Sequence, residues 1–271
     1  MDTSRNDDIE AFTAFGRAAL LEAGAVALAH FRRPLVIDDK DRGAGFDPVT
    51  EADRAVEARL RESISARFPE HAVTGEEHGA DAPAEGWRWM IDPIDGTRAF
   101  ITGVPLWGML LGLLEHGRPR LGWMYQPYLG ELFGGDGHHA WLERGDARRP
   151  LVVSRIERLA DACVYTTHPE QFAEPGEFDR YARLAAHCRL NRYGGDCYSY
   201  CMLAAGHVDL VVESGLQAYD ILPLVPVIEG AGGVVTDWAG RALDGGGQVI
   251  AAATPELHRA ALAVLAGEHV G

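Results

Sequence analysis

The sequence predicts an α+β fold of mixed character, strand-rich in its first half and alternating in its second. Three observations carry this. Apolar residues recur at helical spacing between residues 8 and 68; short apolar or alternating runs separated by glycines fill 106–154; strand and helix patterns interleave from 163 to 265.

From Asp8 to Phe31, Ile9, Phe12, Phe15, Ala19, Leu20, Ala23, Val26 and Ala27 fall on one helical face, which predicts a long amphipathic helix. The polar, glycine-containing segment after Arg32-Arg33-Pro34, up to Phe46, predicts a flap or hairpin. Asp47 to Phe68 predicts a second helix, with Thr50 as N-cap and Asp53 completing a capping box. Val73-Thr74-Gly75 reads as a short strand leading into Glu76-Glu77. The apolar run from Trp87 reads as a buried strand that ends in Asp92-Pro93-Ile94-Asp95-Gly96-Thr97 and passes into a helical turn from Thr97 to Ile101. Leu106 to Leu114, Arg120 to Tyr125, Glu131 to Gly134, Ala140 to Glu143 and Pro150 to Ser154 read as an antiparallel meander, with 144–149 polar and loop-like.

Past residue 150 the pattern changes, which divides the chain into subdomains 1–150 and 151–271. Strands are expected at Cys163 to Thr167, Leu190 to Tyr193, Val208 to Glu213, Val234 to Asp237 and Val249 to Ala253. Helices are expected at Glu177 to Cys188, Asp196 to Ala205, Tyr219 to Gly230 and Pro255 to Leu265, giving a mixed sheet covered by helices. Pro226 lies inside the third of these and predicts a kink or a late start.

At 271 residues, 47% hydrophobic and 24% charged, the composition is that of an ordinary globular chain with a real core. A formal charge of −15 argues against nucleic acid and anionic membrane surfaces, whose binding needs a basic face. The N-terminus shows no secretory pattern and no apolar run approaches membrane-spanning length, so a cytoplasmic location is expected. Cys163, Cys188, Cys197 and Cys201 form no C-x-x-C pair and are expected as reduced thiols.

The chemistry concentrates at Asp92 to Thr97. The amides of the turn after Gly96 make a seat for an anion such as phosphate. Asp92 and Asp95 beside that seat require a cation, and oxygen ligands at a strand end suit Mg²⁺. No Ser, Cys or His nearby is flanked like a nucleophile, and there is no phosphate-binding G-x-x-x-x-G-K-[ST] loop. Direct attack by an activated water is favoured over a covalent intermediate.

Gly75-Glu76-Glu77, Asp92 to Thr97, and Tyr219-Asp220 ahead of Glu229-Gly230-Ala231-Gly232-Gly233 together resemble the inositol monophosphatase superfamily of metal-dependent phosphatases, over nearly the whole chain. The resemblance implies a layered αβαβα sandwich. It also implies Glu76, Asp92, Asp95, Asp220 and the Ile94 carbonyl as ligands of two or three Mg²⁺ ions, with Mn²⁺ an alternative. Asp47 and Thr97 would orient the attacking water, and Gly96 and Thr97 would hold the phosphate. At a helix start, Asp220 also fits an N-cap.

Asp196, Glu213, Tyr219 and Glu77 are expected on the substrate side, where carboxylates would read a cationic alcohol. The wording around Gly194-Gly195-Asp196-Cys197 and Val208 to Glu213 looks most like the histidinol-phosphate phosphatase branch. That implies cleavage of a small phosphate ester, L-histidinol phosphate, in histidine synthesis, by a homodimer. Inositol monophosphate or another sugar phosphate is the alternative ester, and a non-catalytic metal- or phosphate-binding regulator the alternative class. Tyr219 stands where the family usually has Trp, and Pro223 and Pro226 interrupt the helix expected to carry Asp220.

Overall fold

The computed structural model describes residues 3–39, 48–81 and 86–268. Asp47 and most of the expected flap lie outside the described residues. Helix α1 (Thr3–His30) buries Phe12, Ala19, Leu20, Ala23 and Ala27. Strand β1 (Ile37–Asp39) pairs antiparallel with β2 (Pro48–Thr50), in keeping with the expected hairpin. Helix α2 (Glu51–Arg67) begins at the capping box: the Thr50 hydroxyl accepts from the Ala52 N–H, and Asp53 accepts from the Thr50 N–H at 2.8 Å.

Eight strands follow: β3 (Ala72–Gly75), β4 (Gly79–Ala80), β5 (Trp87–Asp95), β6 (Gly108–Glu115), β7 (Arg118–Gln126), β8 (Glu131–Gly135), β9 (Ala140–Arg144) and β10 (Ala147–Pro150). They form one sheet in the order β10-β9-β8-β7-β6-β5-β3-β4, antiparallel except for β3 beside β5. The short helix α3 (Thr97–Ile101) interrupts the run after β5, as expected. The last strand corrects an expectation. It runs through the polar segment 147–150 rather than 150–154, because it is an exposed edge whose ladder to β9 needs no apolar side chains.

The second sheet holds β11 (Cys163–Thr166), β12 (Leu190–Tyr193), β13 (Leu210–Leu216), β14 (Val234–Thr236) and β15 (Gly247–Ala252), in the order β12-β11-β13-β15-β14, with β11 parallel to both neighbours. Helices α4 (Glu177–His187) and α8 (Pro255–Ala266) pack on its outer face through Tyr181, Leu184, Leu257, Ala261 and Val264. Between the sheets lie α5 (Asp196–Ala204), α6 (Ala218–Ile221) and α7 (Val225–Gly230). Alternate residues of β6 face opposite ways: Met109, Leu111 and Leu113 meet α1 and α2, whereas Leu110 meets the middle helices. The result is five layers, αβαβα.

The expected helix from Tyr219 to Gly230 is two short helices, α6 and α7. Pro226 sits in the first turn of α7, where its missing N–H costs nothing, and the break falls just before it. The sheet is shaped for this break. Gly112, Gly122 and Gly135 lie in register across β6, β7 and β8. A β-carbon on Gly122 would stand 1.8 Å from the Pro223 carbonyl oxygen, and one on Gly135 2.3 Å from that of Pro226. The backbone of 223–226 therefore rests directly on the sheet, and α6 is held against β5.

Helix α1 corrects another expectation. Asp8–His30, 23 residues containing an 18-residue stretch of mean hydropathy 1.4, is long and apolar enough to cross a membrane by length and composition. Its apolar face is committed elsewhere: Phe12, Leu20 and Ala23 join the core, and a β-carbon on Gly16 would lie 2.8 Å from the Trp123 ring. A core helix passes the same test.

Candidate active site

One cavity of about 520 Å³ collects acids from both sheets. Glu76 follows β3, Asp92 and Asp95 end β5, Asp196 opens α5, Glu213 lies in β13 and Asp220 in α6; all line it, with Ile94, Gly96 and Thr97. Asp95 joins the halves by accepting from the Cys197 N–H at 3.2 Å. Gly96 turns the chain with φ 88°, and a β-carbon there would stand 3.0 Å from the Leu106 carbonyl oxygen. Only glycine suits both demands. The Thr97 hydroxyl donates to the Ile94 carbonyl at 3.0 Å, leaving that oxygen a second lone pair.

Asp220 has a double attachment. One carboxylate oxygen, Oδ2, accepts from the Gln217 N–H at 2.8 Å in a capping box, while the group remains in the cavity wall. The helix-cap and cavity readings of this residue are therefore compatible.

The electrostatics are those of crowded anions. Burial, then the charges of Glu76, Asp95 and Asp220, push the Asp92 carboxyl well above the ordinary range. Burial, then Asp196, Asp220 and Glu213, raise Asp95 likewise. Burial raises Asp220 to about 7, although the Gln217 N–H opposes the shift. Burial and Glu213 raise Asp196 to about 7, with Arg98 pulling the other way. Burial also raises Glu213, against hydrogen bonds from Thr167 and Tyr200.

Among the described residues, no three His, Cys, Asp or Glu side chains already stand in ligating geometry, so the fit to a metal rests on donor chemistry. Asp92, 2% exposed, keeps its Oδ1 buried with no hydrogen-bond partner. An orphaned carboxylate oxygen among like charges is stabilised by a cation, and an all-oxygen donor set suits Mg²⁺ or Mn²⁺. The residues present fit such an ion.

Two expected substrate residues lie elsewhere. Tyr219 is outside the cavity lining and packs beside Met90, Leu114 and Leu222, because neighbouring helix residues point about 100° apart and Asp220 takes the cavity side. Glu77 is also outside the lining; its N–H donates to Glu57 Oε2 at 2.7 Å and its charge acts on Asp53. Asp47 is outside the described residues.

Other residues that no sequence motif includes line the cavity. Thr167 donates its N–H to Glu213 Oε1 at 3.0 Å and its hydroxyl to the same oxygen, and Tyr200 donates to Oε2 at 2.8 Å. The parallel register of β11 and β13, seen only in the fold, makes this contact: Tyr165 lies opposite Val211, so two residues further Thr167 reaches Glu213. His168 and Gln171 also line the cavity, and His168 Nε2 stands 2.8 Å from Arg98 Nη1. Asp196 has φ 44°, a strained value for a non-glycine residue, and its carbonyl accepts from the Ser199 hydroxyl.

Residues 8–270 match the inositol monophosphatase family. A chloroplastic bifunctional phosphatase of Arabidopsis thaliana is 40% identical over 94% of this chain and 75% of its own. A histidinol-phosphatase of Chlorobaculum parvum is 36% identical over 85% of this chain and 88% of its own. The solved structure of an inositol monophosphatase from Zymomonas mobilis superposes with a TM-score of 0.84 at 36% identity, covering 98% of this chain and all of that one. With residues 8–270 matched and the acids of both sheets gathered in one cleft, the chain belongs to the inositol monophosphatase family and is a phosphoric monoester hydrolase.

Proposed function

We propose that this enzyme hydrolyses L-histidinol phosphate to L-histidinol and inorganic phosphate. The observation that carries the choice of ester is the pair of acids beyond the Mg²⁺-suited set, Asp196 and Glu213, in the same cavity. Glu213 is fixed in place by Thr167 and Tyr200, and an ammonium arriving beside Asp196 would favour its ionised form. The name of the Chlorobaculum relative supports the same ester.

Glu76, Asp92, Asp95, Asp220 and the Ile94 carbonyl would hold Mg²⁺. When bound, the ion supplies charge neutralisation at the phosphoryl group and a more acidic water. The amides after Gly96 hold the phosphoryl oxygens, and Thr97, with Asp47, orients the water. The P–O bond to water forms as the ester P–O bond breaks, and one proton of the attacking water ends on the departing alkoxide while the other stays on the phosphate. Asp196 and Glu213 position the alcohol through its cationic groups. We also place the enzyme in the cytoplasm, whose reducing environment suits its four free cysteines, and as a homodimer.

An inositol phosphate is the second reading, favoured by the name of the Zymomonas structure and by Glu213, whose oxygens accept hydroxyl hydrogens equally well. Phosphate release with Mg²⁺ from L-histidinol phosphate, inositol 1-phosphate and a neutral alkyl phosphate separates them. Turnover of the first with little of the others is expected; inositol 1-phosphate cleaved while histidinol phosphate is untouched would reverse the assignment.

A further inference from the structure

Glu57 is fully buried on α2 and lies outside the three sequence blocks that carry the family resemblance. Its carboxylate does not line the cavity. It lies instead beneath the loop that carries Glu76. Oε2 accepts from the Glu77 N–H at 2.7 Å and Oε1 from the His78 N–H at 3.2 Å. Arg61, one helical turn on, donates Nε to Oε1 at 2.7 Å, and its other nitrogens reach Asp81 and the Gly79 carbonyl. His78 Nδ1 stands 3.3 Å away. The loop joining β3 to β4 is therefore tied from below at 77, 78 and 79.

Its other anchor is the Glu76 N–H, which donates to the Ile91 carbonyl at 3.2 Å, next to Asp92. Gly75 belongs to the same device. A β-carbon there would lie 2.0 Å from Glu57 Oε1, so the glycine leaves the room that the buried carboxylate fills. The Glu57 carboxylate, taken out of water, is held by two loop amides and the Arg61 guanidinium, and these contacts fix the position of the loop.

We propose that Glu57, with Arg61 and Gly75, is a positioning residue that fixes the Glu76 carboxylate for divalent-metal binding. This rests on the reading of Glu76 as a metal ligand. Glu57 acts through the Glu77 and His78 amides and touches neither substrate nor metal. Replacement by Gln keeps the volume but turns an N–H₂ toward donors, so the loop loses an anchor and Glu76 its fixed approach. Groups that orient metal ligands in this way typically cost about 10–100-fold in metal affinity or activity when removed.

The test compares wild type, Glu57→Gln and Gly75→Ala. Mn²⁺ dissociation constants are measured by calorimetry on folded protein, alongside Mg²⁺ half-activation, substrate KM at saturating Mg²⁺ and hydrogen exchange at the 77 and 78 amides. Both variants should weaken Mn²⁺ by about 10–100-fold, raise the Mg²⁺ requirement in parallel, and leave substrate KM within about twofold. Their amides at 77 and 78 should exchange faster, and the double variant should lose less than the two singles combined. Unchanged Mn²⁺ affinity in folded Glu57→Gln, with wild type still metal-dependent, would overturn the positioning role alone. A wild type that neither binds Mn²⁺ nor responds to Mg²⁺ would instead overturn the metal reading on which it stands.

Discussion

Asp92 has the surroundings least tolerant of a lone carboxylate, buried, with one oxygen unpartnered and Glu76, Asp95 and Asp220 as neighbours. Asp92→Asn keeps the shape and removes the charge. Turnover at saturating Mg²⁺ should fall by about 100-fold or more, the scale of losing one preorganised electrostatic group; a near-normal rate would take Asp92 out of the chemistry. Glu213→Gln belongs to the other end of the cavity. Losing a charge-assisted contact worth about 1.5–3 kcal/mol should raise the KM for histidinol phosphate by about 10–100-fold with kcat little changed. An unchanged KM would make Glu213 a packing residue. At this scale the sequence was legible wherever the chain itself is contiguous. Asp92, Asp95, Gly96 and Thr97 sit on one strand end and reach the cavity together, whereas Asp220 joined them only through the family resemblance. Glu57, Thr167 and Tyr200 were missed because each acts on a residue distant in sequence. One cue was present: Asp53, Glu57 and Arg61 recur four apart beside the buried stripe Ala52, Val56, Leu60 and Ile64, which marks acids on an inward face. Tyr219 and Glu77 fall outside the cavity lining because adjacency in sequence to a cavity residue says nothing about direction.

At the scale of elements, the seat of the middle helices is backbone against backbone. Gly122 carries the tightest approach, a fixed carbonyl 1.8 Å from where a β-carbon would stand. A main-chain oxygen cannot rotate away, so Gly122→Ala must separate α7 from the sheet. A loss of about 1–3 kcal/mol or more in denaturant unfolding is expected, and no loss would show that the Pro223 segment is not seated as described. The two prolines were visible in the sequence as a conflict with a continuous helix. Their resolution was not, because it depends on the exact register that sets Gly112, Gly122 and Gly135 side by side across three consecutive strands, which the apolar pattern does not specify. The helices and the long strands were legible from periodicity, and the edge strand β10 was not, since pairing without burial leaves no apolar pattern.

For the whole molecule, the acids set how stability responds to pH. Asp92 and Asp95 lie well above the usual carboxylate range, and Asp196 and Asp220 reach about 7. A raised folded-state value means that the folded protein holds protons the unfolded chain releases. Without metal, these groups therefore cost nothing below the ordinary carboxylate range. The penalty from Asp196 and Asp220 grows as pH rises from about 4 toward about 7 and then levels off, and Asp92 and Asp95 add to it in the same direction. Divalent metal reverses it, because the ligands must be ionised to bind. The Tm in chelator should be lower at pH 8 than at pH 5, Mg²⁺ should raise it more at pH 8, and Asp220→Asn should shrink both effects. An equal Mg²⁺ shift at the two pH values would contradict the linkage. The same charge arithmetic shows how a net −15 chain could receive phosphate esters: cations held by these acids would invert the local field.

The most direct test is anomalous diffraction from crystals grown with Mn²⁺ and phosphate. The account predicts metal peaks among Glu76, Asp92, Asp95 and Asp220, with the phosphate bridging from them to the amides after Gly96. A manganese position that leaves Asp220 unliganded and remote, or phosphate seated away from that turn, would contradict it.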